Sequence, residues 1–345
     1  MRSTGDCDVL AAVAAAANRC DDRVVVAISG GGDSTALAVA AAEVREACSG
    51  RPQLILAHYN HCVRDPDAHR AEEAAVRSLA ERLCVPVIVG KRTLDGSSQS
   101  GRRGGPEAQM RSQRYRFLLR ACEHTGASTL WTAHTVDDQV ETVAMRLLQS
   151  DAVPPLAGIP DRRDLRSDHG VRVDRPLLDV TGYALRLYLR DRGIGWCSDA
   201  TNSDAVHRRN FVRLEVLPRV EIDWPAVRRD LIALSRAAAR ERRRLDAAVA
   251  SIDTDSRDGL VTVDAAAFFA ASAEVRLHLL YTMLADAGLL SRRDRPTRAF
   301  FAPVLGNPPD RQKVLICGRG ITVALTGDRL AAGRVVGGSE TRYLR

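Results

Sequence analysis

A glycine-rich turn near the N-terminus constrains the fold of this chain more than any other stretch. From Val24 to Val44 the sequence reads "VVVAISGGGDSTALAVAAAEV". Five apolar residues precede the turn and an alanine-rich helical pattern follows it, which predicts a buried strand, a tight turn and a helix. The free backbone N–H groups and the dipole at the start of such a helix favour a bound anion, above all phosphate.

The residues of this turn distinguish between the known glycine-rich phosphate loops. A Walker loop requires a lysine that this turn lacks, and a dinucleotide-binding turn requires a third glycine where this chain has Thr35. A tight turn with incidental glycines is the alternative to a phosphate site. The residues predicted to hold phosphate are Ser29, Gly30, Gly31, Gly32, Asp33 and Ser34. The carboxylate of Asp33 can also orient a magnesium ion beside the phosphate.

Strands and helices alternate along the first 150 residues. The apolar segments that predict strands cover residues 23–29, 53–61, 86–92 and 128–134. Helical patterns between them predict a Rossmann-like α/β fold with an open parallel sheet, in which ligands bind at the carboxyl ends of the strands. Polar residues occur at three of these ends, at 29–34, at 58–61 and at His134. We therefore expect the functional site at this edge of the sheet.

The length of 345 residues exceeds what one hydrophobic core normally holds, so we expect more than one domain. After Ser150 a proline-rich loop begins, and an arginine-rich helical pattern runs from about Trp224 to Ile252. One further helix is expected over 264–287, followed by short strands such as "KVLICG" and "GITVAL". The predicted division is a catalytic domain over residues 1–218, a helical connector over 219–258 and a small C-terminal α+β domain over 259–345.

The net charge of +7 comes almost entirely from arginine, since Lys91 and Lys313 are the only lysines. Arginines cluster between residues 102 and 120 and again between residues 208 and 244. The planar guanidinium suits phosphate, so these clusters fit a polyanionic partner such as a nucleic acid. A solvated helix face, or a general bias towards arginine, would produce the same pattern.

Cysteine spacing and hydropathy exclude several classes of protein. The eight cysteines contain no C-x-x-C pair, which favours reduced thiols over a structural metal or an iron–sulfur site. No apolar run approaches the ~20 residues that span a membrane. The N-terminal stretch lacks the basic start of a signal peptide. These features predict a cytoplasmic protein with no membrane partner.

The turn "SGGGDS" resembles the PP-loop of the ATP-pyrophosphatase superfamily, whose pattern is S-G-G-x-D-S. The resemblance implies the adenine nucleotide alpha hydrolase-like fold and ATP as a cofactor together with Mg²⁺. Members cleave ATP between the α- and β-phosphates, transfer AMP to an oxygen and then let a nucleophile displace it. The superfamily is broad, so this turn by itself does not define the substrate.

Five further stretches narrow the resemblance to the tRNA(Ile)-lysidine synthetase family. They are "HYNHCVR" (58–64), "PEAQMRSQRYRFL" (106–118), "TAHTVDDQVETVAMRLL" (132–148), "RPLL" (175–178) and "SDATNSDAVHRRNFVRLEVLP" (198–218). Together with the turn they cover about residues 20–220 in order. The resemblance implies that the substrates are tRNA(Ile) with a CAU anticodon and free lysine, and that a homodimer is a possible assembly. The C-terminal domain resembles the appended tRNA-binding domain of that family only in size and position.

The resemblance also implies residue roles. The residues expected in catalysis are Asp33, Arg111, His134, Asp138 and Glu141. The residues expected to bind ATP or pyrophosphate are those of the turn, 29–34, and His58, with Asp33 on the magnesium ion. The residues expected to contact tRNA are Arg114, Arg209, Asn210 and Arg213.

Helical geometry supports one of these groups independently. At about 100° per residue, His134, Asp138 and Glu141 fall within about 60° of one another on a helix. Carboxylates there can hold the ammonium group of lysine and take a proton from it. The alternative is an acidic first turn that complements the helix dipole. That alternative explains Asp137 and Asp138 better than it explains Glu141.

One loop departs from the family pattern. Residues 149–152 read "QSDA" where the family usually has R-G-[ST]-G, so the border of the substrate site is expected to differ.

Three other functions stay open. A tRNA thiolase of the same superfamily would need paired cysteines. An ATP-dependent amidating enzyme for a small molecule would not need the arginine clusters. A tRNA-binding paralogue without ligase activity would bind RNA and release no pyrophosphate.

Overall fold

The computed structural model describes residues 4–20, 22–61, 66–92, 106–148, 156–165, 170–197, 208–257, 259–290, 296–306, 313–318 and 320–334. The chain forms two compact units. The first comprises Met1–Ser150 and Gly158–Ser235, and the second comprises Asp151–Ala157 and Arg236–Arg345. No helix within the described ranges is long and apolar enough to cross a membrane.

The first unit is built on a six-stranded sheet. Its strands are β1 (Arg23–Ile28), β2 (Gln53–Asn60), β3 (Val87–Lys91), β4 (Thr129–Trp131), β5 (Arg162–Asp164) and β6 (Arg172–Asp174). The spatial order is β3-β2-β1-β4-β6-β5. All neighbours pair in parallel except β5 with β6. The predicted Rossmann-like parallel α/β fold is confirmed, whereas the short strands β5 and β6 were not expected from the sequence.

The helices of the first unit follow the strands in the expected alternation. They are α1 (Thr4–Ala17), α2 (Gly32–Ala47), α3 (Pro66–Arg82), α4 (Pro106–Thr125), α5 (Val136–Leu147), α6 (Gly182–Asp191), α7 (Arg208–Phe211) and α8 (Leu217–Asp223). A π-helical turn, Val212–Val216, joins α7 to α8. The long arginine-rich helix α9 (Val227–Ala250) begins in the first unit and ends in the second.

The central strand β1 is buried on both faces, as a parallel sheet requires. Val24 and Val26 belong to a core formed with α1, α2 and α6, whereas Val25 packs with residues of α4 on the opposite face. The chain continues from β1 to β2 on one side and reaches β4 on the other, so the strand order reverses between β1 and β4. Such a reversal opens a crevice at the carboxyl ends of the strands, where ligands bind.

The second unit contains a five-stranded antiparallel sheet in the order β7-β8-β11-β10-β9. Its strands are β7 (Thr254–Arg257), β8 (Leu260–Asp264), β9 (Lys313–Gly318), β10 (Ile321–Thr326) and β11 (Arg329–Arg334). Its helices are α10 (Ala265–Ala270), α11 (Ala273–Asp286) and α12 (Ala302–Leu305). The single helix expected over 264–287 is therefore wrong. The chain forms two helices because Ser272 accepts a hydrogen bond from the N–H of Val275 and starts a new one.

Candidate active site

The glycine-rich turn connects β1 to α2 and is held by its own hydroxyl groups. Ser34 Oγ accepts a hydrogen bond from the backbone N–H of Ser29 at 3.1 Å and donates one to the carbonyl of Gly31 at 3.0 Å. The two serine Oγ atoms lie 3.0 Å apart. These hydrogen bonds hold the turn in one conformation. A binding site that is already ordered loses little conformational entropy when a ligand binds.

The three glycines of the turn differ in what they require. Gly30 has a φ of +86°, and a Cβ there would lie 3.1 Å from Glu72 Cγ, so both backbone and space favour glycine. A Cβ on Gly31 or Gly32 would meet only ordinary contacts, at 3.5 and 3.4 Å. Because the protein's own packing tolerates a side chain at these two positions, the bare backbone fits a ligand that approaches it closely. Gly31 is also the N-cap of α2 and has no side chain to occupy the helix N–H groups.

Asp33 lies in the first turn of α2 in a partly buried, negative environment. Its pKa is raised from 3.8 to about 6, chiefly by burial and also by the nearby Asp138 and Asp137, while Arg186 and Arg213 oppose the rise. A carboxylate whose negative charge is so weakly compensated by the protein suits a cation that binds beside a phosphate. Among the described residues no three His, Cys, Asp or Glu side chains gather to hold a metal by themselves. A magnesium ion would therefore be held by Asp33 together with phosphate oxygens and water.

Helix α5 begins with a reciprocal cap. The backbone N–H of Thr135 donates to Asp138 Oδ2 at 2.8 Å, and the N–H of Asp138 donates to Thr135 Oγ1 at 3.4 Å. This capping box explains why an acidic residue stands three places after a threonine. Asp138 therefore has a structural role in addition to the catalytic role expected of it.

Two arginines contact the carboxylates of α5. Arg209 donates from Nη2 to Asp138 Oδ1 at 2.7 Å and from Nε to Glu141 Oε2 at 2.6 Å. Arg213 donates from Nε to the other Glu141 oxygen at 2.5 Å. Glu141 is only 1% exposed, so this double pairing compensates a buried charge. The structure thus brings together residues expected in catalysis and residues expected on tRNA, while Asn210 lies half-buried on the same short helix.

His134 follows β4 and directly precedes Thr135, the N-cap of α5. Its Nδ1 lies 3.0 Å from Thr132 Oγ1. Its pKa is lowered from 6.5 to about 3, chiefly by burial and also by Arg175, Arg111 and Arg209, while Asp138 opposes the shift. His134 is therefore a neutral imidazole at physiological pH that can accept a hydrogen bond, and it does not supply a positive charge.

The remaining predicted residues lie at the ends of β2 and on α4. His58 is 2% exposed, and its Nδ1 lies 3.0 Å from the carbonyl of Ile28 while its Nε2 has no partner among the described residues. Arg111 is exposed and stacks over the ring of Tyr115 at 5.1 Å. Burial lowers the pKa of Arg114, and the charge of Arg111 lowers it further. These arginines form a positive patch that extends to His134.

The PP-loop domain family matches residues 8–220. A tRNA(Ile)-lysidine synthase of Rhodopseudomonas palustris is 34% identical over 322 residues, which cover 89% of each chain. The chain belongs to the tRNA(Ile)-lysidine synthase family. A relative of the same name from Thermus thermophilus is 40% identical over 269 residues, covering 78% of this chain and 50% of its own. This chain therefore matches half the length of that relative.

A solved structure supports the fold of this lysidine synthase family member. The U34-tRNA thiolase NcsA from Methanococcus maripaludis, solved with its [4Fe-4S] cluster, has a TM-score of 0.54 and 17% identity. The match covers 68% of this chain and 79% of the thiolase. At this identity the likeness concerns the fold alone.

Three side chains of this family member were not singled out from the sequence. Arg175 in "RPLL" is 6% exposed and donates to the carbonyl of Pro160 at 2.7 Å. Gln139 contacts the backbone N–H and carbonyl of Ile159 at 2.6 and 3.1 Å. Trp196 packs against the glycine-rich turn. Arg175 and Gln139 both lie in family motifs. The spacing of residues in the sequence does not show which distant backbone groups these side chains contact.

Parts of three predicted stretches lie outside the described residues. They are residues 62–64 of "HYNHCVR", residues 198–207 of the last motif and residues 149–155 around the departing loop. The predictions made for those stretches stay predictions.

Proposed function

We propose that this protein ligates lysine to C2 of the wobble cytidine in tRNA(Ile) with a CAU anticodon, with ATP converted to AMP and pyrophosphate. One observation carries the proposal: the preformed glycine-rich turn and the buried carboxylates of α5 meet at the reversal of strand order. The identity of 34% to a lysidine synthase across 89% of both chains supports the same reaction.

In the first step the cytidine C2 oxygen attacks the α-phosphorus of ATP, and the bond to the bridging oxygen of the β-phosphate breaks. Pyrophosphate leaves while the N–H groups of the turn at Gly31 and Gly32 neutralise its charge. A magnesium ion at Asp33 would supply Lewis-acid stabilisation of the phosphate charges. Arg111 and Arg114 place further positive charge at this edge of the sheet.

In the second step the ε-nitrogen of lysine attacks C2, the C2–O bond breaks, and AMP leaves with that oxygen. The ammonium group must lose a proton before it can attack. We assign its binding to Asp138 and Glu141, whose oxygens contact Arg209 and Arg213. The neutral imidazole of His134 offers a hydrogen-bond acceptor within the same cluster, but its pKa of about 3 makes it a poor acceptor of the lysine proton.

The proposal extends to the setting of the reaction. The cytoplasm is the proposed compartment and a homodimer the proposed assembly, which light scattering of the purified protein would test. We also propose the division into a catalytic domain over 1–218, a connector over 219–258 and a tRNA-binding C-terminal domain over 259–345. Four of the five strands of the antiparallel sheet, β8 to β11, lie between Leu260 and Arg334 and support a folded unit in the last of these ranges, while β7 lies in the proposed connector.

The test measures pyrophosphate release from ATP and Mg²⁺ with tRNA(Ile) bearing CAU, with tRNA(Met) and without RNA, and follows labelled lysine into the RNA. Release and incorporation with the first tRNA alone are expected, and Asp33→Ala should abolish both. The exposed Asp67, which pairs with Arg70 on α3, provides the control variant Asp67→Ala with unchanged rates. Release without RNA would indicate a small-molecule acceptor, and binding of tRNA without release would indicate a paralogue that lacks ligase activity.

A further inference from the structure

Trp196 lies directly against the glycine-rich turn. Its indole Cδ1 and Nε1 atoms are 3.4 Å from the point where a Cβ of Gly32 would stand. The side chain nevertheless remains 39% exposed. The indole therefore covers one side of the turn and leaves part of its own surface open beside the N–H groups at the start of α2.

The chain holds Trp196 in this place from both sides. Helix α6 ends with Gly193 at a φ of +61°, and the N–H of Ile194 donates back to the carbonyl of Leu189 at 3.0 Å, which is the pattern of a Schellman motif. Ile194 is 8% exposed and belongs to the main core. On the other side, the N–H of Cys197 donates to the carbonyl of Gly30 at 2.9 Å.

The other two tryptophans have different surroundings. Trp131 on β4 is completely buried, and the indole N–H of Trp224 donates to Asp230 at 2.9 Å. Trp196 instead lies with its large apolar ring and its indole N–H beside the turn. Indole groups suit sites that are apolar on one side and polar on the other.

We propose that Trp196 forms a wall of the phosphate subsite and that its indole contacts the pyrophosphate moiety of ATP and the pyrophosphate that is released. This inference rests on the proposed use of ATP by the turn and adds a ligand-contacting residue to it. The indole shields the bound phosphates from water on one side, while the turn supplies N–H donors on the other. Trp196 should therefore act on nucleotide and pyrophosphate affinity before any RNA binds.

Tryptophan fluorescence tests the contact without tRNA or lysine. The chain has three tryptophans, so Trp224→Phe leaves Trp196 as the exposed emitter and serves as the matched control. Pyrophosphate with Mg²⁺, and ATP with Mg²⁺, should change the emission of the wild type and of Trp224→Phe, but not that of Trp196→Phe. Calorimetry should show Trp196→Ala to bind pyrophosphate about tenfold more weakly, as expected for one lost hydrogen bond and its shielding.

The outcomes separate this proposal from the proposed function. Circular dichroism and thermal unfolding first establish that each variant is folded. If the wild type binds pyrophosphate while Trp196→Phe keeps the emission change, or Trp196→Ala keeps the wild-type affinity, the role of Trp196 is overturned alone. If the folded wild type binds neither ATP nor pyrophosphate by calorimetry, the use of ATP by this turn is overturned as well.

Discussion

Arg209 donates a hydrogen bond from Nε to Oε2 of Glu141 at 2.6 Å, across 68 positions of the sequence. Arg213 contacts the other carboxylate oxygen, so both oxygens of a side chain that is 1% exposed receive a guanidinium. The contact ties α7 and the π-helical turn to α5. The guanidinium groups of Arg209 and Arg213, which suit RNA phosphate, therefore contact carboxylates that suit an ammonium group.

The replacement Glu141→Gln should destabilise the protein by about 1–3 kcal/mol, because it leaves the partly buried guanidinium of Arg213 without a paired carboxylate and Arg209 with Asp138 alone. Urea unfolding at pH 7.5 measures the change. The matched control is Glu215→Gln, which breaks the more exposed pair with Arg219 and should cost less than about 1 kcal/mol. Equal costs for the two variants would contradict the structural importance of the Glu141 cluster.

The glycines of the turn should respond differently to alanine. Gly30→Ala should lose about 1–2 kcal/mol of stability, since its φ of +86° is unfavourable for a residue with a Cβ. Gly32→Ala should keep the wild-type melting temperature and weaken pyrophosphate binding about tenfold, because its methyl group would stand 3.4 Å from the indole of Trp196 and narrow the space beside the turn. Thermal unfolding and calorimetry provide the two readouts.

Gly50 supplies the control for backbone strain alone. It has the same φ of +86°, and no atom lies within 4 Å of its Cβ position. Gly50→Ala should therefore lower the melting temperature without changing pyrophosphate affinity. A loss of stability in Gly32→Ala as large as that in Gly50→Ala would show that the fold, rather than a ligand, requires glycine at position 32.

Magnesium should bind with the phosphates rather than before them. Because Asp33 is the protein ligand expected and the described residues form no three-ligand metal cluster, Mg²⁺ alone should hardly raise the melting temperature. Mg²⁺ with pyrophosphate should raise it clearly, since a ligand at ~100 times its Kd adds ~2.7 kcal/mol. Asp33→Asn should remove most of that increase, whereas the exposed control Asp67→Asn should retain it. A large shift with Mg²⁺ alone would indicate a preformed metal site.

Acid should destabilise the protein partly through His134. Its pKa is lowered from 6.5 to about 3 in the folded chain, so between these values the unfolded chain takes up a proton that the folded chain refuses. This contribution to stability is complete above pH 6.5 and is lost as the pH falls towards 3. His134→Gln should therefore lose less stability between pH 7.5 and pH 5.0 than the wild type, as measured by urea unfolding.

His124 offers the comparison for this effect, because it is exposed at the end of α4. His124→Gln should follow the wild-type pH dependence. His61, whose pKa burial lowers to about 4, acts in the same direction, so the double variant His61→Gln with His134→Gln should show the weakest pH dependence. A slope in His134→Gln identical to that of the wild type would contradict a buried neutral imidazole.

Local patterns in the sequence predicted the strand, turn and helix around Ser29–Ser34 and the alternation that leads to a parallel sheet. They also predicted that His134, Asp138 and Glu141 project from one helix. In the structure Arg209 contacts both carboxylates of α5, but His134 precedes that helix, whose N-cap is Thr135, so its predicted place on the helix was wrong. They missed the strands β5 and β6, whose mostly charged residues carry no apolar pattern. The predicted helix over 264–287 was wrong because a single serine cap outweighed the helical pattern around it.

The sequence by itself determined the glycine-rich turn between β1 and α2, because backbone conformation, capping and periodicity act over a few neighbouring residues. Only the tertiary structure decided that Arg209 meets Glu141 and that Trp196 covers Gly32. Each of these pairs joins segments that are distant in the chain, and their contact depends on how α6 and α7 pack beside the sheet. Packing of that kind is a property of the whole core, and no local spacing encodes it.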